Sequence, residues 1–173
     1  KKISKQMSED IDEMEKMLKD YLQFSYSQSN ENTETFEFNQ LIDEIINKYD
    51  NKKIKFYPEN KIYFEGRKNL LKRCLYNILD NSLKYGNQID IIIKKTVSNI
   101  LIFVDDDGPG IPENEKVNVF KPFYKIDKSR NETKSSVGLG LSITSDIIRS
   151  HGGNISLEKS KSKGLRVKIS LPF

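Results

Sequence analysis

Across residues 7 to 21, the apolar residues Met7, Ile11, Met14, Leu18 and Tyr21 recur at alternating steps of four and three. That spacing keeps them on one stripe of an otherwise charged helix, a short heptad seam that needs a partner. The seam favours a helix of a bundle over an amphipathic helix folded back on its own domain. Residues 25–35 are polar and nearly free of aliphatics, the pattern of a linker. A globular unit is expected from about Phe36 onward.

Within that unit, residues 36–38 predict a short strand. Asn39 then stands where it can cap a helix carrying Leu41, Ile42, Ile45, Ile46 and Tyr49 at helical spacing. Residues 53–57 and 61–64 read as two short strands around the turn Pro58-Glu59-Asn60, followed by a long helix over 68–85 that ends at Gly86-Asn87. Strands are expected at 89–95 and 99–105, the second with Ile100, Ile102 and Val104 on one buried face. Residues 121–137 lack periodicity and carry much Lys and Ser, which predicts a mobile surface loop. A last helix over 139–150 stops at His151-Gly152-Gly153, where a glycine takes the conformation that ends a helix. Strands at 154–158 and 165–171 close the chain. Together these elements predict an α/β (α+β) two-layer sandwich, a mixed sheet of about five strands packed on three helices.

Composition narrows the class. Hydrophobic residues at 36% and aromatics at 10% suffice for one core in 173 residues, while 31% charged residues describe a well solvated surface. The mean hydropathy of −0.63 agrees. The longest apolar cluster, residues 89–93 interrupted by Asp90, is far short of the roughly 18 residues of a membrane span. No secretory leader pattern is expected at the start. The net charge of +4 comes from Lys scattered among acids, a solubility feature that does not point to nucleic acid. Cys74 is the only cysteine, so an internal disulfide is excluded, and its apolar helical position makes it small core filler rather than a reactive thiol. The chain opens Lys1-Lys2-Ile3 without an initiator Met, so an upstream portion is expected.

Three segments carry candidate chemistry. On the long helix, Asn77, Asn81, Lys84 and Tyr85 share about a third of the circumference beside the apolar stripe of Leu71, Leu75, Ile78 and Leu79. A carboxamide oxygen at Asn81 is a hard ligand suited to Mg²⁺, and Lys84 one turn on can neutralise phosphate. Asn and Lys on a helix are by themselves an ordinary solvated face. Directly after an apolar strand comes Asp106-Asp107-Gly108-Pro109-Gly110-Ile111. Its glycines let a planar ligand approach the backbone, and Asp106 can accept a hydrogen bond from an exocyclic amine. A plain acidic turn reads the same way in isolation. Gly138-Leu139-Gly140-Leu141-Ser142-Ile143 opens the last helix, where free N–H groups make an anion site. The Gly-Lys-Ser/Thr ending of a phosphate-binding loop is absent from it.

In this order, and with Phe120-Lys121-Pro122-Phe123-Tyr124 between the last two, the segments resemble the histidine kinase ATP-binding domain. That domain belongs to the wider gyrase, heat-shock chaperone and mismatch-repair ATPase superfamily, whose Bergerat-type fold carries an ATP lid. The resemblance covers about residues 36–173. It implies that Asn77 to Tyr85 form the asparagine box, with Asn81 holding Mg²⁺, Lys84 meeting phosphate and Tyr85 against adenine. It likewise implies that Asp106, Gly108, Gly110 and Ile111 form the first glycine box, with Asp106 on the adenine amino group. Phe123, Tyr124, Lys125 and Arg130 are similar to the phenylalanine box and the start of the lid, Lys125 and Arg130 as phosphate contacts. Gly138, Leu139, Gly140 and Leu141 are similar to the last glycine box. Where the family often carries Gly-Thr before that box, this chain has Ser136-Val137.

The resemblance implies transfer of the ATP γ-phosphoryl group to a histidine outside this stretch, with ATP and Mg²⁺ as cofactors. Residues 1–24 would be the second helix of a dimerisation and phosphoacceptor bundle, 25–35 a linker and 36–173 the catalytic domain, with osmosensor-type kinases as the nearest likeness. Asp80 would orient or deprotonate the acceptor imidazole, or serve as a solvent-facing structural acid. His151, the only histidine, stands at a helix end and reads as a cap or packing residue. Superfamily members that hydrolyse ATP carry Glu where this chain has Asn77, which favours transfer over hydrolysis. The implied partners are the phosphoacceptor helix of the same kinase homodimer and a response regulator receiver domain, with no nucleic acid and no direct membrane contact. The implied location is the cytoplasmic side of an inner-membrane sensor. A degenerate nucleotide-binding scaffold is the alternative, hinted at by Ser136-Val137, and an ATPase of the same superfamily is a further one.

Overall fold

A computed structural model of the chain describes residues 7, 8, 11, 12, 14, 15, 18, 19, 22, 31–49, 53–126 and 138–173. The first nine of these are helical, and Met7, Ile11, Met14, Leu18 and Leu22 are all exposed. The domain therefore covers none of these five, while Tyr21 of the expected seam lies outside the described residues.

The domain opens with an antiparallel ribbon of β1 (Glu34–Glu37) and β3 (Tyr63–Gly66), in which Phe36 faces Phe64. Their rings meet that of Phe38, with centroids 5.7 to 6.1 Å apart. This cluster corrects the first sequence boundary. Helix α1 (Phe38–Ile46) starts at Phe38 itself, with Glu37 at the cap position and no side-chain cap bond. Asn39 is not the cap: it is buried inside the helix, and its amide donates to the Asn60 carbonyl at 3.2 Å. The predicted strand at 61–64 is likewise displaced by two residues to β3.

The main sheet runs in the order β2-β4-β5-β7-β6. Its strands are β2 (Ile54–Tyr57), β4 (Ile89–Lys95), β5 (Asn99–Asp106), β6 (Asn154–Lys159) and β7 (Leu165–Pro172). β2 is parallel to β4 and every other pairing is antiparallel. Register aligns Ile91, Val104 and Val167 in one row and Ile93, Ile102 and Ile169 in the next, so alternation along each strand becomes one continuous apolar face. All six side chains are buried.

Helices α2 (Lys68–Tyr85) and α3 (Gly140–Ser150) lie on that face. α2 buries Leu70, Leu71, Cys74, Leu75, Ile78 and Leu79, and α3 buries Ile143, Ile147 and Ile148. Burial pushes the Cys74 thiol up to about 12, as fits core filler. The two helices are antiparallel and bonded at both ends. Asn77 reaches Gly140 at one end, and at the other the Arg67 guanidinium donates to the Ser150 carbonyl at 3.0 Å. His151 is the C-cap of α3, and Gly152 follows with φ +72. Among the described residues no helix is long and apolar enough to cross a membrane.

Candidate functional site

The amide of Asn77 donates to the carbonyl of Gly140 at 3.2 Å, which sets the middle of α2 against the start of α3. A Cβ on Gly140 would lie 3.7 Å from the Asn81 side-chain nitrogen and 3.8 Å from the Asn77 Cβ. Glycine thus keeps open a small cradle between the two asparagines and the helix start. Leu139, the cap residue of α3, makes no side-chain cap bond. Among the described residues no side chain caps this eleven-residue helix, and its positive end lies beside the cradle.

The turn after β5 forms the second wall. Asp106 is only 4% exposed. Its Oδ1 accepts the N–H groups of Gly108 at 3.0 Å and Leu165 at 2.9 Å, and its backbone carbonyl accepts the Ser160 hydroxyl at 2.7 Å. Gly164 permits this approach, because a Cβ there would stand 2.6 Å from that Oδ1 and 2.7 Å from the Gly108 nitrogen. Both bonds to the carboxylate fall on Oδ1, so the group is fixed in direction while Oδ2 keeps its acceptor capacity.

A second carboxylate joins the two walls. Asp107 Oδ1 accepts the N–H groups of Asn87 at 2.6 Å and Gln88 at 3.0 Å, where the chain leaves α2. The Gln88 and Asn87 N–H groups hold its carboxyl below the usual aspartate range. Backbones pack closely here as well. A Cβ on Gly86 would meet Asp107 Oδ1 at 2.8 Å, and one on Gly108 would meet the Tyr85 carbonyl at 2.9 Å.

Other sequence-predicted residues take varied places. Lys84 and Tyr85 are exposed at the end of α2, with the Lys84 ammonium 5.1 Å from the centre of the Tyr85 ring. Asp80, also exposed, accepts the Tyr49 hydroxyl at 2.8 Å, and burial together with this carboxylate raises the Tyr49 phenol above its ordinary value. Ile111 and Leu141 are half-buried against the core and Leu139 is buried in it, so a ligand contact from Leu139 falls to its backbone. Gly110 stands across from Gly164.

Phe123 is exposed with φ +65, and its N–H donates to the Gly138 carbonyl at 2.9 Å. Tyr124 is half-buried, and its hydroxyl donates to Glu115. Lys125 is half-buried. Arg130, Ser136 and Val137 lie outside the described residues, as does the rest of 127–137.

Sequence reading missed Asp107, Ser160 and Gly164. The acid at 107 reads in sequence as part of a plain acidic turn, and Ser160 and Gly164 fall between the last two predicted strands. Only the neighbourhood of β5 with the end of α2 and with β7 gives them their partners.

Residues 66–173 match the family described as histidine kinase-, DNA gyrase B-, and HSP90-like ATPase. The chain is 32% identical over 173 residues to the sensor histidine kinase GtrS of Pseudomonas aeruginosa, covering 99% of this chain and 36% of that protein. It is 36% identical over 118 residues to the sensor histidine kinase CpxA of Escherichia coli, covering 68% of this chain and 26% of CpxA. The chain thus spans about a third of the length of these relatives or less. Among solved structures, the catalytic domain of the histidine kinase ThkA superposes with a TM-score of 0.69 at 26% identity, covering 81% of this chain and 95% of that one.

Proposed function

This chain belongs to the histidine kinase-, DNA gyrase B-, and HSP90-like ATPase family, and we propose that it is the ATP-binding catalytic part of a sensor histidine kinase. The observation that supports the proposal is that one helix, α2, holds the Asn77–Asn81 face against the start of α3 and, at its C-terminal end, meets the turn that follows Asp106. Those are an amide face, a fixed carboxylate and an anion site, the three chemistries that a metal-bound triphosphate and its adenine need.

Asp106 Oδ2 accepts the adenine amino group. The N–H groups at the start of α3 receive phosphate oxygens, and the Gly140 cradle gives room for them. Asn81 beside that cradle fits Mg²⁺, whose other ligands are phosphate oxygens and water. The ion neutralises phosphate charge when bound. Lys84, Lys125 and Arg130 add positive charge, and Gly108 and Gly110 let the purine approach the backbone. Tyr85, Phe123 and Tyr124 border the nucleotide.

The reaction breaks the bond between the γ-phosphorus and the β,γ-bridging oxygen of ATP. It forms a phosphorus–nitrogen bond to a histidine imidazole on a phosphoacceptor helix of the same kinase dimer, and ADP leaves. In such transfers positioning and charge neutralisation supply most of the rate, so little covalent chemistry falls to this domain. Asn77, a hydrogen-bond donor to Gly140, is no base for water, which favours transfer over hydrolysis. Residues 1–24 then belong to the bundle and 25–35 to the linker, the phosphoryl group passes on to a response regulator receiver domain, and the site works on the cytoplasmic side of a membrane sensor.

The deciding experiment supplies γ-labelled ATP and Mg²⁺ to the chain extended by its upstream helix. Labelled phosphohistidine with slow phosphate release is expected. Tight ATP binding with no labelled histidine would favour the scaffold, and fast phosphate release without acceptor would favour an ATPase.

A further inference from the structure

We propose that Glu31 is a positioning residue for the nucleotide site, through which the segment upstream of β1 sets the strength of ATP binding. The inference rests on the nucleotide reading above and adds its regulation.

Helix α2 begins without a cap of its own. Arg67 at the cap position makes no side-chain cap bond, and the first turn holds no acid. The missing acceptor arrives from far along the chain. Glu31 Oε1 accepts the Asn69 N–H at 2.6 Å, and Oε2 accepts the Leu70 N–H at 3.0 Å. A carboxylate on free N–H groups at the positive end of a helix is held by hydrogen bonds and by the helix dipole together. Three residues before β1, this contact fixes the entry of the chain to the start of the helix that carries Asn77 and Asn81.

The same corner also holds the end of α3. The Arg67 N–H donates to His151 Nε2 at 3.1 Å, and its guanidinium bonds Ser150. Glu31 therefore grips the end of the α2–α3 pair that lies away from the Asn77–Gly140 contact. Neither Pro nor Gly interrupts the eighteen residues of α2, so a shift of its first turn is carried along a continuous rod to Asn77, about two turns on. Coupling of this kind is reciprocal: if ATP tightens the Glu31 contact, the contact tightens ATP by the same factor. An upstream movement that withdraws residue 31 weakens the nucleotide site.

The test uses the full 173-residue chain with ATP and Mg²⁺. In the unaltered chain, nucleotide should slow hydrogen exchange at the Asn69 and Leu70 amides about fivefold. By reciprocity, Glu31→Ala should weaken ATP affinity by calorimetry about fivefold, with Glu31→Gln, which keeps an acceptor oxygen, between the two. A merely local cap gives a different pattern: faster exchange and lower melting temperature in Glu31→Ala, unchanged ATP affinity, and no effect of ATP on the two amides in the parent. That pattern overturns the proposal while leaving nucleotide binding intact. A parent chain that does not bind ATP at all would overturn the nucleotide reading and this inference with it.

Discussion

Asn77 and Gly140 are joined by a hydrogen bond of 3.2 Å from a side-chain amide to a backbone carbonyl, 63 residues apart in sequence. The bond ties the helix of the asparagines to the helix whose N-terminus faces them. Asn77→Asp keeps the shape, removes the donor and sets a carboxylate against the carbonyl. We expect a loss of about 1–3 kcal/mol in urea unfolding. An unmoved midpoint would show that the contact contributes nothing.

The two glycines that flank Leu139 at the start of α3 should respond in opposite ways. Gly138 has φ +77, and a Cβ on it would sit 2.9 Å from the Tyr124 carbonyl and 3.0 Å from the Phe123 carbonyl carbon. Gly138→Ala should therefore destabilise by about 1–3 kcal/mol. At Gly140 the nearest atom to an added Cβ is 3.7 Å away, so Gly140→Ala should stabilise the helix by roughly 0.5–1 kcal/mol. That methyl also fills the cradle beside Asn81, and ATP binding should weaken even as the melting temperature rises. Affinity and stability moving together in Gly140→Ala would contradict the phosphate assignment.

Asp106 serves both the fold and, on our reading, the purine. Asp106→Ala removes a charge-assisted bond of about 1.5–3 kcal/mol, which weakens ATP roughly 10- to 150-fold. It also strips the acceptor from Gly108 and Leu165. Asp106→Asn separates the two effects, because the amide oxygen can keep those N–H groups while its nitrogen faces the ligand. Calorimetry should show Asp106→Asn losing the parent's preference for ATP over inosine triphosphate, which lacks the amine. Retained preference would move adenine elsewhere.

His151 should give the fold an acid-sensitive limb. Its Nδ1–H donates to the Ile147 carbonyl at 2.7 Å, and its Nε2 accepts the Arg67 N–H, so the ring is bound as the neutral form. Burial holds its pKa below the ordinary value, with the Arg67 charge adding to the effect and the Ile147 bond and Glu31 opposing it. Below about pH 6.5 the unfolded chain therefore takes up the proton more readily than the folded one. Stability is full above that pH and falls as pH drops from it toward the lowered folded value. Between pH 7.5 and 5.5 the melting temperature of the parent should fall further than that of His151→Gln. Equal slopes would show that the ring does not resist protonation.

Most of the fold was legible because its signals are local. The stripe on α2 and the Gly86 stop placed 68–85 correctly, and the alternation of Ile100, Ile102 and Val104 placed β5 to within one residue. The errors arose where distant partners decide. Phe38 opens a helix instead of ending a strand because its N–H is taken by the Ile62 carbonyl at 2.7 Å and its ring by Phe36 and Phe64. Asn39, a good cap by residue type, is drawn inward to Asn60. At the site, Asn77, Asn81, Asp106, Gly138 and Gly140 stood out through spacing and flanking periodicity. Asp107 and Gly164 did not, since the meaning of Asp107 comes from N–H groups 19 and 20 residues away and that of Gly164 from the Asp106 and Gly108 atoms that the strand pairing brings against it.

β7 is threaded between β5 and β6 although it comes last in the sequence, and it brings the Leu165 N–H that pins Asp106, next to Gly164, which makes room for it. During synthesis the Asp106 carboxylate therefore lacks this partner until the hairpin of β6 and β7 has left the ribosome. On the reading proposed above, a nascent chain without that hairpin holds nucleotide more weakly than the finished unit.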